Sequence, residues 1–130
     1  MSFTTTGLIQ SPDESLEYFF VEGCHILETW NRAEDPNLSI VRARVTPGVT
    51  TRWHRLRGTI ERYLILAGTG VMELHGIPPR PVGPGDLVYI PSDHGQRITN
   101  TGSSDLIFLA LCTPRFRPEV YEDLEQSSDA

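Results

Sequence analysis

The hydrophobic positions of this chain fall in short runs, each closed by glycine or proline, and within most runs apolar and polar residues alternate. That pattern predicts strands over residues 24–30, 38–45, 50–54, 60–66, 71–74, 87–90, 96–100 and 106–112. In LSIVRARV, residues 38–45, a period of two sets Val41, Ala43 and Val45 on one face and Ile40, Arg42 and Arg44 on the other. The run LIFLALC at 106–112 is apolar on both faces, which predicts a strand buried on both. Gly68-Thr69-Gly70 reads as a hairpin turn joining 60–66 to 71–74. The Pro-rich stretch 75–84 cannot be a central strand.

Outside the strands the signals are weaker. Ser11-Pro12-Asp13-Glu14 carries the marks of a short helix start, with Ser11 as cap, Pro12 in the first position and Glu14 in the third. The rest of residues 1–13 reads as an arm or an edge strand. Pro114 and Pro118 stop regular pairing, and the acidic, Ser-ended residues 120–130 predict a turn or two and then disorder. The expected organisation is an N-terminal arm with edge strands over 1–37, a barrel over 38–113 and a tail over 114–130, all in one structural domain. Many short strands without a long helix make the chain all-β. Periodicity alone leaves a sandwich and a closed barrel both open.

Composition narrows the function classes. A length of 130 residues suits one modest core. All 11 basic residues are arginine, and the formal net charge is −6 without any basic block. Phosphate neutralisation needs the opposite balance, so nucleic acid is not the expected partner. No apolar run approaches the roughly 20 residues that span a bilayer, and no membrane partner is expected. The first residues lack the basic and apolar regions of a signal peptide, so a cytoplasmic location is the expectation. Cys24 and Cys112 then read as two buried thiols rather than a disulfide framework.

Two stretches carry spaced chemistry. The first, residues 47–70, has Gly48, His54, Leu56, Glu61 and Gly68; the second, residues 85–100, has Gly85, Pro91, Asp93, Gln96 and Asn100. In residue type and spacing they resemble the two motifs of the cupin family, whose first motif has a second His where Leu56 stands. The family's second motif has Gly and His where Asp93 and Gln96 stand. The resemblance implies a double-stranded β-helix, a jelly-roll barrel, with His54 and Glu61 pointing into it. It also implies a divalent-metal site, because the family's imidazoles and carboxylate hold such an ion. Here the matching ligands are His54, Glu61 and Gln96, and one imidazole with two oxygen donors implies a weak, exchangeable metal or none.

Further candidates surround that set. Tyr63 shares a strand face with Glu61 and reads either as a substrate-binding residue lining the same cavity or as a core aromatic whose hydroxyl finds a partner. His94, two residues before Gln96, reads either as a loop histidine or as a group at the pocket mouth. Arg44, with Arg42, forms an anion pocket if its strand face is inward and a solvated surface if it is outward. Glu61 and His54 are the candidate catalytic pair. Two functions stay open. One is an isomerase- or lyase-type enzyme acting on a small polar or acidic metabolite. The other is a non-catalytic small-molecule-binding or sensor module with a degraded metal site. A homodimer is expected, with the β-prone segment 18–30 pairing with a partner's sheet edge.

Overall fold

The computed structural model describes residues 6–125. Their strands are β1 (Tyr18–Phe20), β2 (Cys24–Trp30), β3 (Ser39–Val45), β4 (His54–Leu56), β5 (Ile60–Ala67), β6 (Gly70–Leu74), β7 (Arg80–Val82), β8 (Leu87–Ile90), β9 (Gln96–Asn100), β10 (Leu106–Thr113) and β11 (Tyr121–Asp123). A six-stranded sheet runs β1-β2-β3-β10-β5-β8 and a five-stranded sheet runs β11-β4-β9-β6-β7. Every pairing is antiparallel, and the two sheets face one another as a jelly-roll barrel.

The period of two decides what faces inward. From β3 come Ala43 and Val45, from β5 Tyr63 and Ile65, from β9 Ile98, and from β10 Leu106, Phe108 and Ala110, all buried in one core. Burying a side chain such as Phe108 stabilises the fold by roughly 1.5–3 kcal/mol, which gives this register its hold. A slip of one residue would turn the whole set outward.

Glycine chemistry fixes the motif turns. Gly68 has φ +83, and a Cβ there would lie 2.6 Å from the Asp105 carbonyl oxygen, so no other residue fits. At Asp93 the motif's glycine is missing but its geometry is kept. Its φ is 68, and its carboxylate accepts a hydrogen bond from the Gly58 amide at 3.1 Å. Aspartate is one of the few residues besides glycine that enter the left-handed region.

Several expectations are corrected. The helix start is one turn of 3-10 helix, Glu14–Leu16, capped by Asp13 and not by Ser11, because the Asp13 carboxylate accepts the Ser15 amide. Residues 50–54 form no strand; Thr50 makes one bridge to Thr99 and pairing resumes at His54. Gly68-Thr69-Gly70 is not a hairpin turn. β5 pairs with β10 and β8, whereas β6 pairs with β9 and β7, so these residues carry the chain from one sheet to the other. Strand β10 is fully buried on one face only; Ile107, Leu109 and Leu111 on the other are half-buried. The stretch 75–84 contributes β7 at a sheet edge, where Pro81 is tolerated. The tail is more ordered than expected up to Glu125, since β11 pairs with β4. Residues 1–5 of the arm and the end of the tail, 126–130, lie outside the described residues.

Candidate functional site

A small chamber opens between the inner face of the six-stranded sheet and β4, with a cavity volume of about 40 Å³. His54 reaches it from β4, Glu61 and Tyr63 from β5, Cys112 from β10, and Glu22 from the turn between β1 and β2. Phe20, Ile26, Val41, Leu56 and Phe108 make apolar walls. The alternation of β3 turns Val41 and Ala43 toward this space.

His54 is 1% exposed, and its Nδ1 lies 2.6 Å from the Arg52 carbonyl oxygen. A carbonyl can only accept, so Nδ1 carries the hydrogen and donates it. That leaves Nε2 facing the chamber as the nitrogen free to take or release a proton. Tyr121 of β11 stacks on the imidazole with centroids 5.1 Å apart and planes 23° apart.

Glu61 is held by a chain of side-chain hydrogen bonds. The Tyr63 hydroxyl donates to Gln96 Oε1 at 2.8 Å, and Gln96 Nε2 donates to Glu61 Oε1 at 2.7 Å. Burial pushes the Glu61 carboxyl up to about 7, and the nearby Glu22 charge adds to that. His54, the Gln96 amide and the Cys112 thiol act in the opposite direction without cancelling it. Desolvation raises both the Tyr63 hydroxyl and the Cys112 thiol, so each stays protonated.

Glu22 is the residue that motif reasoning missed. Its carboxylate is 3.8 Å from His54 Nε2 with 14% of its side chain exposed, close enough for charge coupling and too far for a hydrogen bond. A tight turn sets it there: the Gly23 amide donates to the Phe20 carbonyl at 2.9 Å, and the Arg52 amide donates to the Glu22 carbonyl at 2.7 Å. Glu22 lies outside both motifs, and its one sequence signal is a glutamate directly before a turn glycine. Tyr121 was missed for a similar reason, because the tail carried no strand signal.

The structure thus brings His54, Glu61, Tyr63 and Gln96 together. It does not bring Arg44 or His94 to them. Arg44 lies on the outer face of β3, where it donates to Glu17 at 2.8 Å and to Asp105 at 3.3 Å. The apolar residues of β3 take the inner face, and that excludes the arginines. His94 sits in the turn after β8, bonded through Nδ1 to the Ser92 carbonyl at 3.1 Å and set edge-on to the His75 ring.

A divalent metal of the kind the motif resemblance implied finds a poor donor set here. Leu56 has no donor atom, and Gln96 offers only a neutral amide oxygen, which also accepts from the Tyr63 hydroxyl. Among the described residues no three His, Cys, Asp or Glu side chains are arranged as a metal-ligand group. No helix among them is long and apolar enough to cross a membrane.

Comparison with known proteins places this geometry. The family model of the cupin domain matches residues 41–112. An oxalate-binding protein from Thermotoga maritima is 34% identical over 91 residues, which covers 70% of this chain and 74% of that one. KdgF from Halomonas sp. superposes with a TM-score of 0.68 at 19% identity over 77% of this chain and 88% of that one. The DMSP lyase DddQ from Ruegeria pomeroyi has a TM-score of 0.68 at 24% identity, covering 82% of this chain and 54% of that one. At such identities the two structures speak to the fold alone.

Proposed function

Because the chain belongs to the cupin family, we propose that its barrel chamber binds a small polar metabolite and moves a proton on it, as an isomerase or lyase does. The oxalate-binding relative supports the small-molecule part of this reading. The observation that carries the chemical part is Glu61, a buried carboxyl poised at about 7 in the same chamber as the free nitrogen of His54. A base works best when its pKa sits near the working pH. Glu61 takes the substrate proton, and His54 Nε2 delivers or accepts one on the other side. Gln96 and Tyr63 position the Glu61 carboxyl. No step runs through a metal, because the donor set does not fit one.

A second reading is a non-catalytic binding module. Its support is that Leu56 and Gln96 stand at two motif positions and that the Tyr63–Gln96–Glu61 chain satisfies itself without a ligand. The fold hosts both kinds of function, so the site must decide.

The experiment is a metabolite screen by thermal shift, followed by incubation of each hit with the protein in D2O. A proton-transferring enzyme exchanges deuterium into a carbon position of its ligand. Glu61→Gln should slow that exchange about 100-fold or more. A ligand that binds and never exchanges leaves the binding module as the function.

The homodimer belongs to the same proposal. Its support is β1, an edge strand of the six-stranded sheet with Phe19 and Val21 exposed beside it. Light scattering at tens of micromolar should give twice the 14.6 kDa chain mass, and a monomer mass would remove it.

A further inference from the structure

We infer that the ligand of the chamber is an organic cation, an ammonium group held between Glu22 and Glu61 inside aromatic walls. This deepens the proposed function and rests on the chamber being the binding site.

Charge placement carries the inference. The chain has no lysine, and five of its arginines pair with carboxylates that do not line the chamber. Arg42 pairs with Glu14 and Glu17, Arg44 with Glu17 and Asp105, Arg52 with Asp123, Arg55 with Glu122, and Arg97 with Glu73. None of the 11 arginines lines the chamber. Three glutamates do: Glu22, Glu61 and, at the mouth, Glu28. His54 is the one lining group that can hold positive charge. An acidic metabolite would therefore enter a space whose fixed charges repel it. A cation would supply the counter-charge that no arginine or lysine brings to Glu22 and the buried Glu61.

The walls point the same way. Phe20 stands edge-on to Tyr121 at 5.2 Å and to Phe116 at 6.2 Å, beside Glu22 and His54. Across the chamber Tyr63 packs on Phe108 with centroids 4.2 Å apart. Aromatic faces attract alkylammonium groups electrostatically while accepting their methylenes, a combination that suits an organic cation better than a hydrated inorganic one. The metal alternative also lacks a convergent set of donors, as described above.

The test is isothermal titration of the full chain at fixed ionic strength with four probes: butylammonium, 1-butanol, butyrate and oxalate. Zinc and manganese chlorides are titrated in parallel. The inference expects butylammonium to bind at least tenfold tighter than 1-butanol, with neither anion binding measurably. Glu22→Gln and Glu61→Gln should each weaken butylammonium tenfold or more, whereas Glu17→Gln on the outer sheet face should leave it unchanged. Melting temperatures of the variants confirm that they fold. Butyrate or oxalate binding as tightly as butylammonium would overturn the cation and leave the chamber as a binding site. Tight metal binding abolished by the same two variants would overturn it in favour of an inorganic ion. Ammonium binding indifferent to both variants would overturn its location. No binding of any probe to the folded protein would remove the cation and leave the chamber reading to the metabolite screen.

Discussion

Two regions of this barrel hold pairs of glutamates, and they hold them in opposite ways. On the outer face of β3, Glu14 and Glu17 meet Arg42 and Arg44 in a net of hydrogen bonds at 2.6–3.3 Å. Those bonds hold both carboxyls below the usual carboxylate range. Inside the chamber Glu22 and Glu61 have no arginine, and burial pushes Glu61 up to about 7. A half-solvated ion pair needs little from the fold and adds little to it. A desolvated carboxylate without a countercharge costs stability, so its retention points to work done at that spot.

The comparison can be broken most severely at Gln96. Its amide satisfies Tyr63 on one side and Glu61 on the other. Gln96→Leu leaves the Tyr63 hydroxyl buried without that partner and Glu61 with the Cys112 thiol alone, and should cost about 3–5 kcal/mol, read by urea denaturation. A loss below about 1 kcal/mol would mean that water satisfies both groups and that the chamber is wetter than its walls suggest.

Glu61→Gln should act in the other direction and depend on pH. The folded carboxyl titrates at about 7 against 4.5 unfolded, so between those values the native state binds more protons. Native stability therefore falls as pH rises from 4.5 to 7, and the penalty is complete above that window. At 1.36 kcal/mol per unit the ceiling is about 3 kcal/mol. The variant should gain up to that amount over the native protein at pH 8 and nothing at pH 4.5. Denaturation at both pH values checks it, and an equal effect at both would show that Glu61 is not strained by its charge.

On the outer face the expected numbers are smaller. Arg44→Met should cost about 1 kcal/mol or less, diminish further in high salt, and leave ligand affinity in the chamber unaltered. A larger, salt-resistant loss would make the outer net a structural keystone instead of a surface feature. Chelator sits at the bottom of the scale. With this donor set the melting temperature of the purified protein should not move when chelator is added, and a drop of several degrees would restore the metal.

The residues that motif spacing and alternation could reach were reached. A period of two puts Glu61 and Tyr63 on one face, and the same rule places Gln96 inward on β9. What stayed out of reach depends on contacts between distant segments. Glu22 enters the chamber because a turn near residue 22 is tied to the Arg52 amide, and Tyr121 because the tail pairs with β4. Nothing local to either residue states those partners. The apolar face of Val41, Ala43 and Val45 already favoured an outward Arg44, and core packing of Ala43 and Val45 fixes it there. Gly68-Thr69-Gly70 has the chemistry of a hairpin and performs a sheet change, since a positive φ serves either path.

Strand β10 has a consequence for the order in which this chain can assemble. It lies between β3 and β5, pairing Ser39 with Cys112 on one side and Glu61 with Cys112 on the other. Until residues 106–113 have left the ribosome, the β1-β2-β3 group and the β5-β8 pair share no neighbour. The large sheet closes only when nearly the whole chain is available, across sequence separations that make closure slow. The chamber, whose walls come from both groups, is therefore among the last parts of the molecule to form.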